Sequence, residues 1–250
     1  MKITSAHASH PGLVRQNNED CIRSDDNLGI YLLADGMGGH NAGEVASALA
    51  VDTVYAALST SLAITAPDGL CDLMANAVHA AHKEIYAKTR TSLSLMGMGT
   101  TLVVAVVRAN RAYIAHAGDS RAYLFSHHRS TIPEGVGSLQ RITKDHTMGD
   151  QLLANGIPRE QIPEKQFHTL TQAVGCGAPP IPDFNTVELN RGDMLLLCSD
   201  GLTDMLTDGE IEAVLSNGGN SLDKLADNLI DAANAKGGRD NVSVVLVNIP

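Results

Sequence analysis

The chain has 250 residues, enough for one large domain or two small ones, and 44% hydrophobic with 18% charged residues is ordinary for a globular protein. Aromatic residues make up only 3%, so Leu, Val, Ile and Ala must fill the core. The net charge of −10 argues against nucleic-acid binding, because phosphate backbones are held by clustered Lys and Arg.

The first half of the chain is predicted to contain one strand and two helices. Residues 29–34 form a short apolar run, typical of a buried strand, that ends in a turn at Asp35-Gly36. Residues 42–58 and 68–90 carry apolar side chains at helical spacing, so each should pack on one side only.

Strands dominate the second half. We expect them at 101–107, 112–117, 122–125, 186–189, 193–199 and 242–249, with one helix at 221–235. The short connections among the first three imply antiparallel pairing. Separated runs of strand and helix favour an α+β fold, a sheet sandwich covered by helices. No repeat or linker divides the chain, so we expect a single domain, 1–250, in which the polar segment 147–169 is a mobile flap.

The cysteines and the N-terminus favour a cytoplasmic protein. The four cysteines form no Cys-x-x-Cys pair, and Cys198 lies in an apolar run where a buried thiol is usual. Residues 1–5 lack an apolar signal core, and no uninterrupted apolar stretch reaches the ~18 residues that span a bilayer. We therefore expect a reduced protein that is not held in a membrane.

Four aspartates stand at the ends of strand patterns: Asp35, Asp119, Asp200 and Asp240. Taken singly, an aspartate beside glycine is more often a turn residue than a ligand. Four of them suggest a site for a hard divalent cation, which prefers carboxylate, carbonyl and water oxygens.

A polar hexapeptide near the N-terminus adds a guanidinium and two acids, Arg15, Glu19 and Asp20. Arginine can hold a phosphate in a two-pronged contact, and either acid could bind a metal or orient its water. In isolation the same hexapeptide would usually be a solvated loop.

Seven motifs in order resemble the metal-dependent type 2C Ser/Thr protein phosphatases, especially compact bacterial members. They are Arg15-x-x-Asn18-Glu19-Asp20, Asp35-Gly36-Met37-Gly38-Gly39-His40, Gly97-Met98-Gly99-Thr100-Thr101, Ala117-Gly118-Asp119-Ser120-Arg121, Thr143-Lys144-Asp145-His146, Cys198-Ser199-Asp200-Gly201-Leu202 and Gly238-Arg239-Asp240-Asn241. The resemblance covers nearly the whole chain and implies a four-layer sandwich of two antiparallel β-sheets flanked by α-helices.

The resemblance also implies a site. Asp35 would bridge two Mn²⁺ or Mg²⁺ ions, with the Gly36 carbonyl on one and Asp200 and Asp240 on the other. Asp119, together with Asp200, would hold a third, weaker ion. Glu19 and Asp20 would act mostly through water.

The implied reaction is hydrolysis of phosphoserine and phosphothreonine in proteins by a water activated between two ions. Arg15 would hold the phosphate oxygens. The proton donor is open, because Met37 stands where eukaryotic members carry histidine. His40 is the nearest candidate and a metal-bound water an alternative, while His146 could as well make a structural hydrogen bond. His79 and His82 are not expected to be ligands.

Other functions fit less well. A catalytically silent phosphoprotein-binding relative should have lost a metal aspartate, and none is lost. A cysteine-dependent phosphatase needs Arg six positions after its nucleophile, which no cysteine here has. Nucleotide-binding glycine motifs are incomplete. We therefore expect a monomeric signalling enzyme whose partners are phosphoproteins made by a Ser/Thr kinase.

Overall fold

The computed structural model describes residues 2–38, 42–126, 138–217 and 221–250. Its helices are α1 Gly43–Ser61, α2 Leu70–Thr89, α3 Met148–Ala154, α4 Asp200–Thr203, α5 Asp208–Asn217 and α6 Leu222–Ala235. Its strands are β1 Thr4–His10, β2 Asp20–Asp25, β3 Ile30–Met37, β4 Gly99–Thr100, β5 Leu102–Arg108, β6 Arg111–Ala117, β7 Arg121–Ser126, β8 Ser138–Arg141, β9 Asp183–Glu188, β10 Met194–Cys198 and β11 Val242–Asn248.

The strands form two antiparallel sheets. One has the order β1-β11-β10-β7-β8, and the other has the order β2-β3-β5-β6-β9 with β4 beside β3. The sheets pack face to face through apolar side chains, so that Tyr31 and Leu33 of one sheet share a buried cluster with Leu195, Leu197 and Val245 of the other.

Helices cover the two outer faces. Because side chains alternate along a strand, Ile30 and Leu32 point away from the inter-sheet core, into a cluster with α1 and α2. On the opposite side, Leu196 and Val244 lie in a cluster with α4, α5 and α6. The expected four-layer α+β sandwich is therefore confirmed.

Helix α1 and the turn that follows it are long and apolar. The stretch Gly43–Ile64 is, by length and composition, the one candidate for a membrane-spanning helix among the described residues. In this structure Ala46, Ala50 and Val54 are fully buried in the cluster that α1 forms with α2 and β3. A helix packed between a sheet and another helix has the same apolar composition.

Three expectations about local structure were wrong or incomplete. Strand β3 runs through Asp35 and Gly36 to Met37, because Gly36 pairs with Thr100 in β4 instead of forming a turn. Strands β6 and β7 do not pair, since the chain crosses from one sheet to the other between them. The sequence patterns also failed to indicate β1, β2, β8 and α5.

The segment predicted as a flap has its own packing. Helix α3 is capped by Thr147, whose hydroxyl accepts a hydrogen bond from the Asp150 N–H at 3.1 Å. The Phe167 ring packs on Gly149 and lies 3.8 Å below the Arg159 guanidinium. That the segment is mobile stays a prediction.

Candidate metal centre

Two aspartates of the site face each other across a strand pair. The β2–β3 register places Asp20 opposite Asp35, so both side chains leave the sheet on the same side. The Asp35 backbone is fixed, since its N–H donates to the Thr101 hydroxyl at 3.0 Å and its carbonyl accepts from the Thr100 hydroxyl at 2.8 Å. The strand pairing therefore sets this part of the site.

Gly36 is a point of close approach. A Cβ there would lie 2.2 Å from the Gly43 carbonyl oxygen and 2.6 Å from that of Glu19. Any side chain would push β3 away from the start of α1 and from the loop that precedes β2.

Asp119 lies where the chain crosses between the sheets. Gly118 has φ +111°, and a Cβ on it would be 2.7 Å from the Thr101 side chain. His146 holds this crossing, because its N–H donates to the Gly118 carbonyl at 3.0 Å and its Nδ1 accepts from the Gly118 N–H at 3.3 Å. The structural hydrogen bond considered for His146 is thus present, and it positions Asp119.

Asp200 and Asp240 come from neighbouring strand ends in the other sheet. Asp200 is the first residue of α4, directly after β10, and Asp240 precedes β11. A Cβ on Gly201 would lie 2.0 Å from the Asn241 carbonyl oxygen, so only glycine lets these two segments approach.

The four predicted aspartates converge. Asp35, Asp119, Asp200 and Asp240 line one cavity of about 1100 Å³, which Arg15, Glu19 and Gly36 also line. Asp20 lies beneath it and accepts a hydrogen bond from the Ser199 hydroxyl at 2.9 Å. His40 falls outside the described residues, so its placement stays a prediction.

Burial and crowding raise the pKa values of four carboxyl groups at the site, those of Asp20, Asp35, Asp119 and Asp200. Burial, followed by the charge of Asp20, raises the pKa of Asp35 well above its usual range, and burial with the charge of Asp119 does the same for Asp200. Burial raises the pKa of Asp119 to about 7 and that of Asp20 to about 6.

The residues present fit divalent cations. Arg15 is the one Lys or Arg side chain among the described residues that line the cavity, and it cannot balance so many carboxylates. Asp20 Oδ1 is buried and has no hydrogen-bond partner. Clustered carboxylates with an unsatisfied oxygen are the ligand chemistry that Mg²⁺ and Mn²⁺ prefer.

Asn241 positions the loop that carries Arg15. Its amide nitrogen donates to the Pro11 and Asn17 carbonyls at 3.1 and 2.8 Å, and its amide oxygen accepts from the Glu19 N–H at 2.8 Å. Arg15 itself contacts Asp240 at 2.7 Å but remains 56% exposed. The guanidinium is thus tethered at the cavity mouth, with donors left for a ligand.

Two further residues of the site were not expected from the sequence. His168 lines the cavity, its Nδ1 lies 3.4 Å from Asp204 Oδ2, and donor atoms of both residues lie within 4.8 Å of the Asp200 carboxylate. The only sequence signal was the spacing of Asp200 and Asp204, which one helical turn brings together. His168 lies in a segment without a clear pattern.

The comparisons with known proteins agree with this geometry. The sequence model described as Protein phosphatase 2C matches residues 6–243. The chain belongs to the protein phosphatase 2C family. Serine/threonine phosphatase stp of Listeria monocytogenes serotype 4b is 36% identical over 243 residues, covering 94% of this chain and 92% of that protein.

Solved structures of phosphatases superpose over the whole chain. The catalytic domain of the serine/threonine protein phosphatase PstP in complex with two manganese ions has a TM-score of 0.81 and 36% identity, covering 100% of this chain and 99% of that one. Serine/threonine phosphatase Stp1 of Staphylococcus aureus has a TM-score of 0.88 and 29% identity, covering 100% and 96%. The resemblance to the protein phosphatase 2C family is therefore confirmed.

Proposed function

We infer that this chain is a metal-dependent protein phosphatase that hydrolyses phosphoserine and phosphothreonine. This conclusion rests on one observation: a single cavity is lined by Arg15 and by four aspartates, Asp35, Asp119, Asp200 and Asp240. A silent phosphoprotein-binding domain would not need such a cluster of buried and half-buried carboxylates, because their burial and mutual repulsion oppose folding when no cation is bound.

We propose that Asp35, the Gly36 carbonyl, Asp200 and Asp240 hold two Mn²⁺ or Mg²⁺ ions, and that Asp119 with Asp200 holds a third, weaker one. The donor atoms of His168 and Asp204 close to Asp200 support an additional ion on that side. When bound, the ions supply Lewis acidity for the hydrolysis of the phosphate ester.

The protein's own groups bind and orient the substrate. Arg15 offers its outward N–H groups to the phosphate oxygens, and Asp240 restrains the guanidinium so that less freedom is lost on binding. We propose that Glu19, which lines the cavity, and Asp20, whose Oδ1 has no hydrogen-bond partner, accept hydrogen bonds from water in the site. His40 is proposed to donate a proton to the leaving hydroxyl, and this role stays a prediction.

The remaining proposals concern the cellular setting. Phosphoproteins must be supplied by a protein Ser/Thr kinase, which we propose as the opposing enzyme in a signalling pathway. All proposed ligands come from one chain, which is consistent with a monomer. All four cysteines are free, which is consistent with the reduced cytoplasm.

The test is hydrolysis of an aryl phosphate by chelator-treated protein before and after addition of Mn²⁺ or Mg²⁺. We expect activity only with metal, and a loss of at least about 100-fold in Asp35→Asn and Asp200→Asn. Asp231→Asn, at an exposed position in α6, is the matched control and should retain activity. A wild-type protein inactive with either ion would refute the proposal.

A further inference from the structure

One wall of the cavity carries no charge. Among the described residues that line the cavity, the Asp, Glu and Arg side chains belong to the loop before β2 and to the strand ends, whereas the stretch 169–181 contributes only uncharged residues. We call this stretch the neutral wall. The cavity volume of about 1100 Å³ lies at or just above the upper end of the range for sites that enclose a drug-sized ligand, roughly 300–1,000 Å³. A phosphorylated side chain alone would leave much of it empty.

Helix α2 holds the neutral wall in place. His79 Nε2–H donates to the Pro180 carbonyl at 3.1 Å, and His82 Nδ1 accepts from the Gly175 N–H at 3.0 Å. A Cβ on Gly175 would lie 2.1 Å from Ile85 Cγ2, so the wall sits directly on the helix. These contacts give the two α2 histidines a structural role and make the wall a fixed surface.

Ile181 is presented to solvent from this fixed surface. It is 78% exposed and lines the cavity, although Pro180 and Pro182 on either side are buried. Its own N–H donates to Gln172 Oε1 at 2.8 Å, and the prolines restrict the backbone around it. An apolar side chain held outward in a substrate cavity is ready to bury another apolar group at little entropic cost.

We propose that the neutral wall, with Ile181 as its central contact, selects protein substrates that carry an apolar side chain next to the phosphorylated residue. This proposal rests on the proposed function. With the phosphate near Arg15 and the carboxylates, neighbouring substrate residues occupy the rest of the same cavity. An apolar neighbour gains from burial against Ile181, whose side chain offers no hydrogen-bond partner to a polar neighbour that loses water there.

The test compares phosphothreonine peptides that differ at a single position, which carries either Leu or Ser. The position varied lies within two residues of the phosphothreonine, on its N-terminal or its C-terminal side. Serine is the reference because it is uncharged, so the net charge of the protein does not affect the comparison. We expect kcat/KM to favour Leu by about ten-fold at one or more positions, which corresponds to ~1.4 kcal/mol.

Ile181→Asp should reduce this Leu preference to about one-fold. Because the side chain is exposed and its backbone bond is retained, the variant is expected to fold normally. Ile64→Asp is the matched control, since Ile64 is 87% exposed and does not line the cavity, and it should keep the preference.

Aryl phosphate hydrolysis, measured in parallel, separates the two proposals. A wild type that hydrolyses aryl phosphate but treats Leu and Ser peptides alike at every position would overturn only the selecting role of the wall. The same conclusion follows if Ile181→Asp keeps the full preference. A wild type without aryl phosphatase activity would overturn the proposed function and, with it, this inference.

Discussion

Replacement of Asp119 by Asn should stabilise the ion-free protein. Burial raises the pKa of Asp119 to about 7, against a usual value of 3.8. Between pH 3.8 and about 7, the folded protein therefore holds the Asp119 proton more tightly than the unfolded chain does. The contribution of Asp119 to the free energy of unfolding therefore falls as pH rises from about 4 to 7 and is level above that range.

The size of the effect follows from the width of the window. A difference of roughly three pH units corresponds to at most about 4 kcal/mol at pH 8. Because nearby carboxylates share protons with Asp119, we expect about half of this, or an increase in Tm of roughly 4–8 °C for a chain of this length. At pH 5 the gain in unfolding free energy should be less than half of the gain at pH 8.

Thermal unfolding in EDTA, followed by circular dichroism at pH 5 and pH 8, measures the gain. Asp231→Asn, at an exposed site, should change the unfolding free energy by no more than about 0.5 kcal/mol. Excess Mn²⁺ should raise the Tm of the wild type more than that of Asp119→Asn. A variant no more stable than the wild type at pH 8, or equally stabilised at both pH values, would show that ionisation of Asp119 does not destabilise the ion-free protein.

Three further predictions concern Arg15, Asn241 and Cys198. Arg15→Ala should lower kcat/KM for aryl phosphate about 100-fold and Arg15→Lys less, as steady-state kinetics can measure; equal losses would argue against two-pronged binding. Asn241→Ala removes three hydrogen bonds, so urea unfolding should show that the free energy of unfolding falls by about 2–3 kcal/mol, and KM for aryl phosphate should rise. If both values are unchanged, the loop that carries Arg15 does not depend on these hydrogen bonds. Cys198 is fully buried, and burial raises its pKa to about 12. Cys198→Ser should therefore leave unchanged the number of thiols that react with Ellman's reagent in the native protein. A decrease in that number would show that the Cys198 thiol is accessible.

The sequence could predict the elements with strong local patterns. Helices α1, α2 and α6 and the strands β5, β6, β10 and β11 lie close to where apolar periodicity placed them. The crossing between β6 and β7 could not be read in the same way, because the turn around Asp119 is as short as that of a hairpin. Whether such strands pair depends on tertiary packing, and at this crossing Gly118 lies close against Thr101.

In the site, too, some residues could be predicted from local sequence patterns and others depend on long-range packing. Asp35, Asp119, Asp200 and Asp240 could be named from strand-end positions and ordered motifs, and the fold brings them together. Their convergence, however, depends on two sheets that pack face to face and place these strand ends at the same end of the sandwich, which no local pattern encodes. His168 was missed for this reason, since its place beside Asp204 is decided by long-range packing.

The most direct test of metal-dependent phosphatase activity is phosphate release from a phosphothreonine peptide as Mn²⁺ is added back to chelator-treated wild-type protein. We expect no release without metal, and a rate that rises with Mn²⁺ to saturation in the wild type but not in Asp35→Asn. Release that is independent of metal, or that survives in Asp35→Asn at full rate, would contradict this expectation.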